Sequence, residues 1–180
     1  MTRFQRDGDA LVLTLGPEER PILASLAASL TEMLEPTGSV VDPDPLAALV
    51  GMPAGGPVDR PDDPAVRRLL PDAYADPDGA AEFRRLTDAG LRAEKVANLR
   101  RVVDGATEAG GVVRIGAGEV DGWLAGLNDI RLVLGERLEM TEEREHLEDL
   151  DDDDPRLPLL AAYDWLSELQ EVLVQFFMAD

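Results

Sequence analysis

The stretch Glu119 to Leu138, EVDGWLAGLNDIRLVLGERL, decides how this chain folds. Trp123, Leu127, Ile130, Leu134 and Leu138 recur at steps of three and four, the period that lays one apolar stripe along a helix. Asn128, Asp129 and Arg131 interrupt the same helix near its middle. Asn and Asp compete with the backbone for hydrogen bonds and are mediocre helix formers, so propensity does not explain their placement. The three residues form a candidate binding site, because side chains three apart on a helix reach a common partner. The competing reading is a structural network in which Arg131 meets a carboxylate such as Glu171 and Asn128 satisfies a loop carbonyl.

Outward from this helix the sequence reads as a mainly α fold. A bundle of four to five helices carries a small N-terminal β-hairpin, and a third short strand is available at Val112 to Ile115. The hairpin spans Thr2 to Leu15, where Leu11, Leu13 and Leu15 alternate with Val12 and Thr14 after a turn at Asp7-Gly8. Pro17 opens a helix to Leu34 with Ile22, Leu26, Leu30 and Met33 as its stripe. Seven prolines and four glycines between Glu35 and Pro64 exclude a long element there. Residues 35–63 are therefore a Pro/Gly-rich loop, with one short helix from Asp44 to Val50. Asp63-Pro64 and Asp76-Pro77 each pair a cap with a first-turn proline, opening a short helix to Leu70 and a long one to Thr107. Phe83, Leu86, Val96, Leu99, Val103 and Ala106 supply the long helix's apolar face. Residues 141–157 form an acidic loop, and Pro158 to Met178 a last helix with Tyr163, Leu166, Leu169, Leu173 and Phe177 on one side. Its WLSELQEVLVQF echoes WLAGLNDIRLVL, through duplication or through a shared packing demand, and both tryptophans are expected in the core.

At 180 residues the chain suits a single domain, 1–180. It has no cysteine, which removes disulfides and thiolate chemistry and fits a cytoplasmic location. No stretch is long and apolar enough for a membrane span. The net charge of −20 repels nucleic acid and anionic lipid. A local exception lies between Arg84 and Arg101, where six basic residues, including the chain's one lysine, Lys95, face Asp88 and Glu94. That face could contact DNA, but it balances the acidic segments more simply. The Asp151 to Asp154 run lacks the alternating ligands, turn glycine and twelfth-position Glu of a calcium loop, and His146 has no second His or Cys beside it. No metal, cofactor or catalytic residue is assigned. No nucleophile elbow, phosphate loop or dinucleotide motif is present.

The segments RLLPDAY (Arg68 to Tyr74), EFRRLT (Glu82 to Thr87), WLAGLNDIRLVLGERL (Trp123 to Leu138) and YDWLSELQEVLV (Tyr163 to Val174) follow an N-terminal RDGD hairpin. In this order they resemble an actinobacterial domain-of-unknown-function family, often encoded beside the Clp protease adaptor ClpS. The resemblance implies regulated proteolysis or transcriptional control and carries over no catalytic residue. Together these readings point to a non-enzymatic cytosolic interaction or regulatory module. A small-molecule or anion sensor, or an enzyme, built on Asn128, Asp129 and Arg131 is the second reading, and a DNA-binding regulator the third. Val172, Phe176 and Phe177 sit at a helix end that is apolar nearly all round. They mark either an interface to a partner or second copy, or a fully enclosed end.

Overall fold

A computed structural model describes residues 2–35, 58–141, 147 and 150–178. Strands β1 (Arg3–Asp7) and β2 (Ala10–Thr14) make the hairpin, and β3 (Val112–Ile115) pairs with β2, giving an antiparallel sheet of order β1-β2-β3. Five helices complete the described chain: α1 (Glu19–Leu34), α2 (Pro64–Leu69), α3 (Pro77–Thr107), α4 (Val120–Arg137) and α5 (Leu157–Met178). The mainly helical fold and the third strand are as the sequence indicates. The expected helix at Asp44 to Val50 and most of the acidic run lie outside the described residues.

The stripe on α4 is the centre of the core: Trp123, Leu127, Ile130, Leu134 and Leu138 are all buried. Burying side chains of this size stabilises the fold by roughly 1.5–3 kcal/mol each, an upper estimate set by an extended unfolded chain. Helix α3 crosses α4 where the latter is thin. A Cβ on Gly126 would lie 2.9 Å from Val102 Cγ2 and 3.1 Å from the Asn98 carbonyl oxygen. Gly105 on α3 answers with room for the Trp123 ring, whose nearest atom would stand 2.5 Å from an added Cβ. These glycines let two backbones approach, which bulkier residues would prevent.

Several expected details shift by one residue. Helix α1 buries Leu23, Ala27, Leu30 and Leu34, not Ile22, Leu26 and Met33, and Ile22 is about half exposed. Its sequence ILASLAASL is apolar or Ala at either set of positions, so packing against α3 and α4 selects the stripe. On α3 the deeply buried valine is Val102 rather than Val103, Leu86 is exposed, and the helix runs unbroken through Gly90. The hairpin turn is Gly8-Asp9, because Asp7 pairs with Ala10, and Gly8 takes the φ of +63° that a tight two-residue turn asks of its first residue. Trp165 is only partly buried; its Nε1 donates to Thr2 Oγ1 (3.0 Å), a polar end that keeps it at the core's edge.

Candidate functional site

The polar residues of α4 point in different directions, because neighbours on a helix are turned by about 100°. Asp129 faces inward. It is 3% exposed, and its Oδ1 accepts a hydrogen bond from Lys95 Nζ on α3 at 2.9 Å. Burial pushes its carboxyl above the usual carboxylate range, while the Lys95 ammonium pulls the other way and nearby Glu94 adds to the rise. The pair locks α3 to α4 at the core's polar margin.

Arg131 faces α5. One Nη donates to Gln170 Oε1 and the other to Tyr163 Oη (3.2 Å), with the guanidinium carbon 5.0 Å from the Tyr163 ring centre. Gln170 in turn donates from Nε2 to the Leu124 carbonyl of α4 (3.1 Å), so one amide ties both helices. The expected partner Glu171 is its neighbour in sequence but lies on an exposed face. Arg131 Nε is buried and has no hydrogen-bond partner among the described residues.

Asn128 is exposed and meets no loop carbonyl among the described hydrogen bonds. It lines an open cleft of about 320 Å³ together with Arg131, Arg68, Glu136, Glu139 and Tyr163. The structure thus brings Asn128 and Arg131 to one cleft and takes Asp129 to another face. The cleft holds cations, carboxylates, an amide and a phenol, a set suited to orienting a small polar group. Asp63 extends the lattice around it: its carboxylate caps α2 through Ala65 N (2.8 Å) and accepts from Arg137 of α4 (2.6 Å). The Arg137 hydrogen bond holds the Asp63 carboxyl below its ordinary range.

Five of the six basic residues in the basic run of α3 are matched internally. Arg84 pairs with Asp72, Arg85 with Glu82, Arg92 with Asp88 and Arg100 with Glu35, besides Lys95 with Asp129. Among the described residues no cluster of His, Cys, Asp or Glu is arranged to hold a metal ion, and no helix is long and apolar enough to cross a membrane.

Among the described residues the end of α5 is covered in part. Leu173 is buried, Phe176 lies under the Arg6 guanidinium (4.3 Å to the ring centre), and Val172 and Phe177 are partly buried. Val174 and Met178 are exposed, the latter by 79%. Val174 and Met178 stand four residues apart, so they share one outward side of the helix.

A model of the family described as "domain of unknown function (DUF2017)" matches residues 1–177. The chain is 32% identical over 187 residues to the oxidative stress regulator AosR of Mycobacterium tuberculosis (strain ATCC 25618 / H37Rv), an alignment covering 96% of this chain and 84% of the relative. It is 30% identical over 179 residues to the putative oxidative stress regulator AosR of Mycobacterium leprae (strain TN), covering 92% and 81%. No solved structure matches the chain.

Proposed function

The chain belongs to the DUF2017 family, and from its likeness to the mycobacterial regulators we propose that it is a cytoplasmic, non-enzymatic regulatory protein of the oxidant response that works by contact with a protein partner. The observation that carries this reading is the exposed pair Val174 and Met178 at the end of α5, the kind of apolar surface a partner covers. The polar residues first considered for chemistry support it from the other side. Lys95 and Asp129 satisfy each other, and Arg131 is engaged with α5. The chain has no cysteine, so within it an oxidant cannot be read by thiol chemistry. Its output is therefore a contact made or broken, which serves transcriptional control and regulated proteolysis alike. A DNA contact through α3 is disfavoured by the carboxylates that already occupy its arginines.

The test is complementation of a deletion strain, reading oxidant-induced transcripts. Val174→Glu with Met178→Gln, folded by circular dichroism, is expected to reproduce the deletion, whereas Asn128→Ala restores the wild-type response. A second reading, a sensor of a small polar or anionic ligand, is favoured by the buried, unpartnered Arg131 Nε beside the cleft. Failure of Asn128→Ala with full activity of the α5 variant would establish that second reading in place of the first.

A further inference from the structure

Two residues at the end of α4 run against what a helix prefers, and both line the cleft that α4 shares with Arg68 of α2 and Tyr163 of α5. Gly135 stands inside the helix, where alanine is the better former. Packing does not call for the glycine: an added Cβ would stand 3.6 Å from Tyr163 Cε2 and 3.8 Å from Met140 Cβ, which are ordinary contacts. Glu139 is the one non-glycine residue of positive φ (+52°) among the described residues. Met140 N donates to the Gly135 carbonyl (2.8 Å) and Glu139 N to that of Glu136 (3.2 Å), the helix ending in which glycine usually holds the left-handed position. Glycine and glutamate thus stand where the fold alone would ask for alanine and glycine. Such reversals of local preference gather at functional sites.

The charges around these two residues are unsatisfied. Arg68, Glu136 and Glu139 line the same cleft of about 320 Å³, yet none of the three side chains has an ion pair or hydrogen bond among the described residues. Glu139 acts on Arg156 only through space, since Asp154 holds that guanidinium at 2.8 Å and is the chief cause of its raised pKa. Opposite charges that share one cleft without pairing leave room for a group that bridges them. We propose that the cleft binds a free α-amino acid with an apolar side chain, its carboxylate on Arg68 and its ammonium on Glu136 and Glu139.

Charge and size select this class of ligand. A guanidinium presents a fork that matches a carboxylate, and an ammonium has three donors to share between two glutamates. With Arg131 beside Arg68, two positive side chains face two negative ones across the cleft. A lone anion there meets both glutamates, and a lone cation meets both arginines. A zwitterion has no net charge, so the field of a chain at −20 does not repel it. The volume lies at the small end of ligand sites, which begin at about 300 Å³. Leu132 and Met140 line the same cleft and offer apolar walls to the side chain. The proposal rests on the ligand-sensor reading of this cleft and names its ligand; it is independent of the contact at the end of α5.

Isothermal titration of the purified full chain tests this with L-leucine and L-methionine as probes. Three controls accompany them: isocaproate, which lacks the ammonium, isoamylamine, which lacks the carboxylate, and inorganic phosphate. Saturable binding of an amino acid, about tenfold or more tighter than that of any control, is expected. Gly135→Ala sets a methyl in the cleft and Glu139→Gly removes a carboxylate. Each is expected to unfold at a higher urea concentration than the wild type, yet to bind about tenfold more weakly. Arg68→Met, folded by circular dichroism, is expected to lose binding by the same factor. Isocaproate or phosphate binding as tightly as the amino acids overturns the proposal and leaves an anion sensor standing. Absence of saturable binding by every probe and control overturns both. Wild-type affinity in Gly135→Ala and Arg68→Met, or a loss of stability in Gly135→Ala and Glu139→Gly, also overturns the proposal.

Discussion

Removing Lys95 is expected to harm the fold more than removing the acid it serves. The ammonium and carboxylate stand 2.9 Å apart, with Asp129 almost wholly buried and the Lys95 side chain 22% exposed. At an effective dielectric of about 20 their gross attraction is roughly 6 kcal/mol, most of which offsets the desolvation of the two charges. Lys95→Met leaves Asp129 charged and enclosed, which costs about 3 kcal/mol, the low end for breaking a buried pair. Asp129→Leu leaves an ammonium that can swing its long stem toward water, so that change costs about 1–2 kcal/mol. The double variant, with both charges gone, is expected within about 1 kcal/mol of wild type. Urea unfolding followed by tryptophan emission gives all three values as a double-mutant cycle. The pH profile adds a signed check. Burial raises the Asp129 carboxyl above its ordinary value, so the charged form is the costly one. Its contribution is therefore most favourable below the ordinary carboxylate range and is lost as pH rises through the folded value. Lys95→Met takes away the pull that opposes this rise, so Asp129 takes up its proton at a higher pH in the variant and the variant's deficit should shrink on acidification. A larger loss for Asp129→Leu than for Lys95→Met, or a deficit independent of pH, would refute this account of the pair.

Other expected outcomes test neighbouring claims. Gly105→Ala drives a methyl into the Trp123 ring and should lower stability by about 1–3 kcal/mol, the range for overpacking, whereas Gly118→Ala, with open space around it, should not. Trp123→Ala should cost roughly 3–5 kcal/mol. In the native state Trp123 emission should resist quenching while that of Trp165, half-buried and tied to Thr2, is partly reached; equal quenching of the two in single-tryptophan variants would contradict their placement. For Glu19, burial works to raise the carboxyl, but the Gly16 and Thr2 groups that donate to it hold it below 4.5 overall. A lowered value means its stabilisation is present above that pH and lost as pH falls through the folded value, so Glu19→Gln should flatten the acid limb of the stability curve.

What could be read from sequence follows from how many ways each pattern can be satisfied. Helix α4 has one strict three-four stripe bounded by polar residues, and all five of its members are buried. Helix α1 offers two stripes one residue apart, and only packing against its neighbours selects Leu23, Ala27, Leu30 and Leu34. The same ambiguity moves the buried valine from Val103 to Val102, and Arg131's partner from Glu171 to Gln170. The Lys95–Asp129 pair joins residues 34 positions apart, and no local rule finds it. Two signals did exist: an acid three residues after Gly126 and next to the stripe, and a lone lysine in a chain that otherwise uses arginine. Of the grouped residues, Asn128 and Arg131 line one cleft while Asp129 turns to Lys95, since adjacent helical positions look to different sides.

In the proposed reading the Lys95–Asp129 pair serves only the packing of α3 on α4, and the protein's surface carries its function. The most direct measurement is the oxidant-induced transcript response of a deletion strain complemented with the double variant Lys95→Met/Asp129→Leu. A folded variant that restores the wild-type response is the predicted result. A folded variant that fails to restore it would contradict the claim and make Lys95 and Asp129 part of a working site.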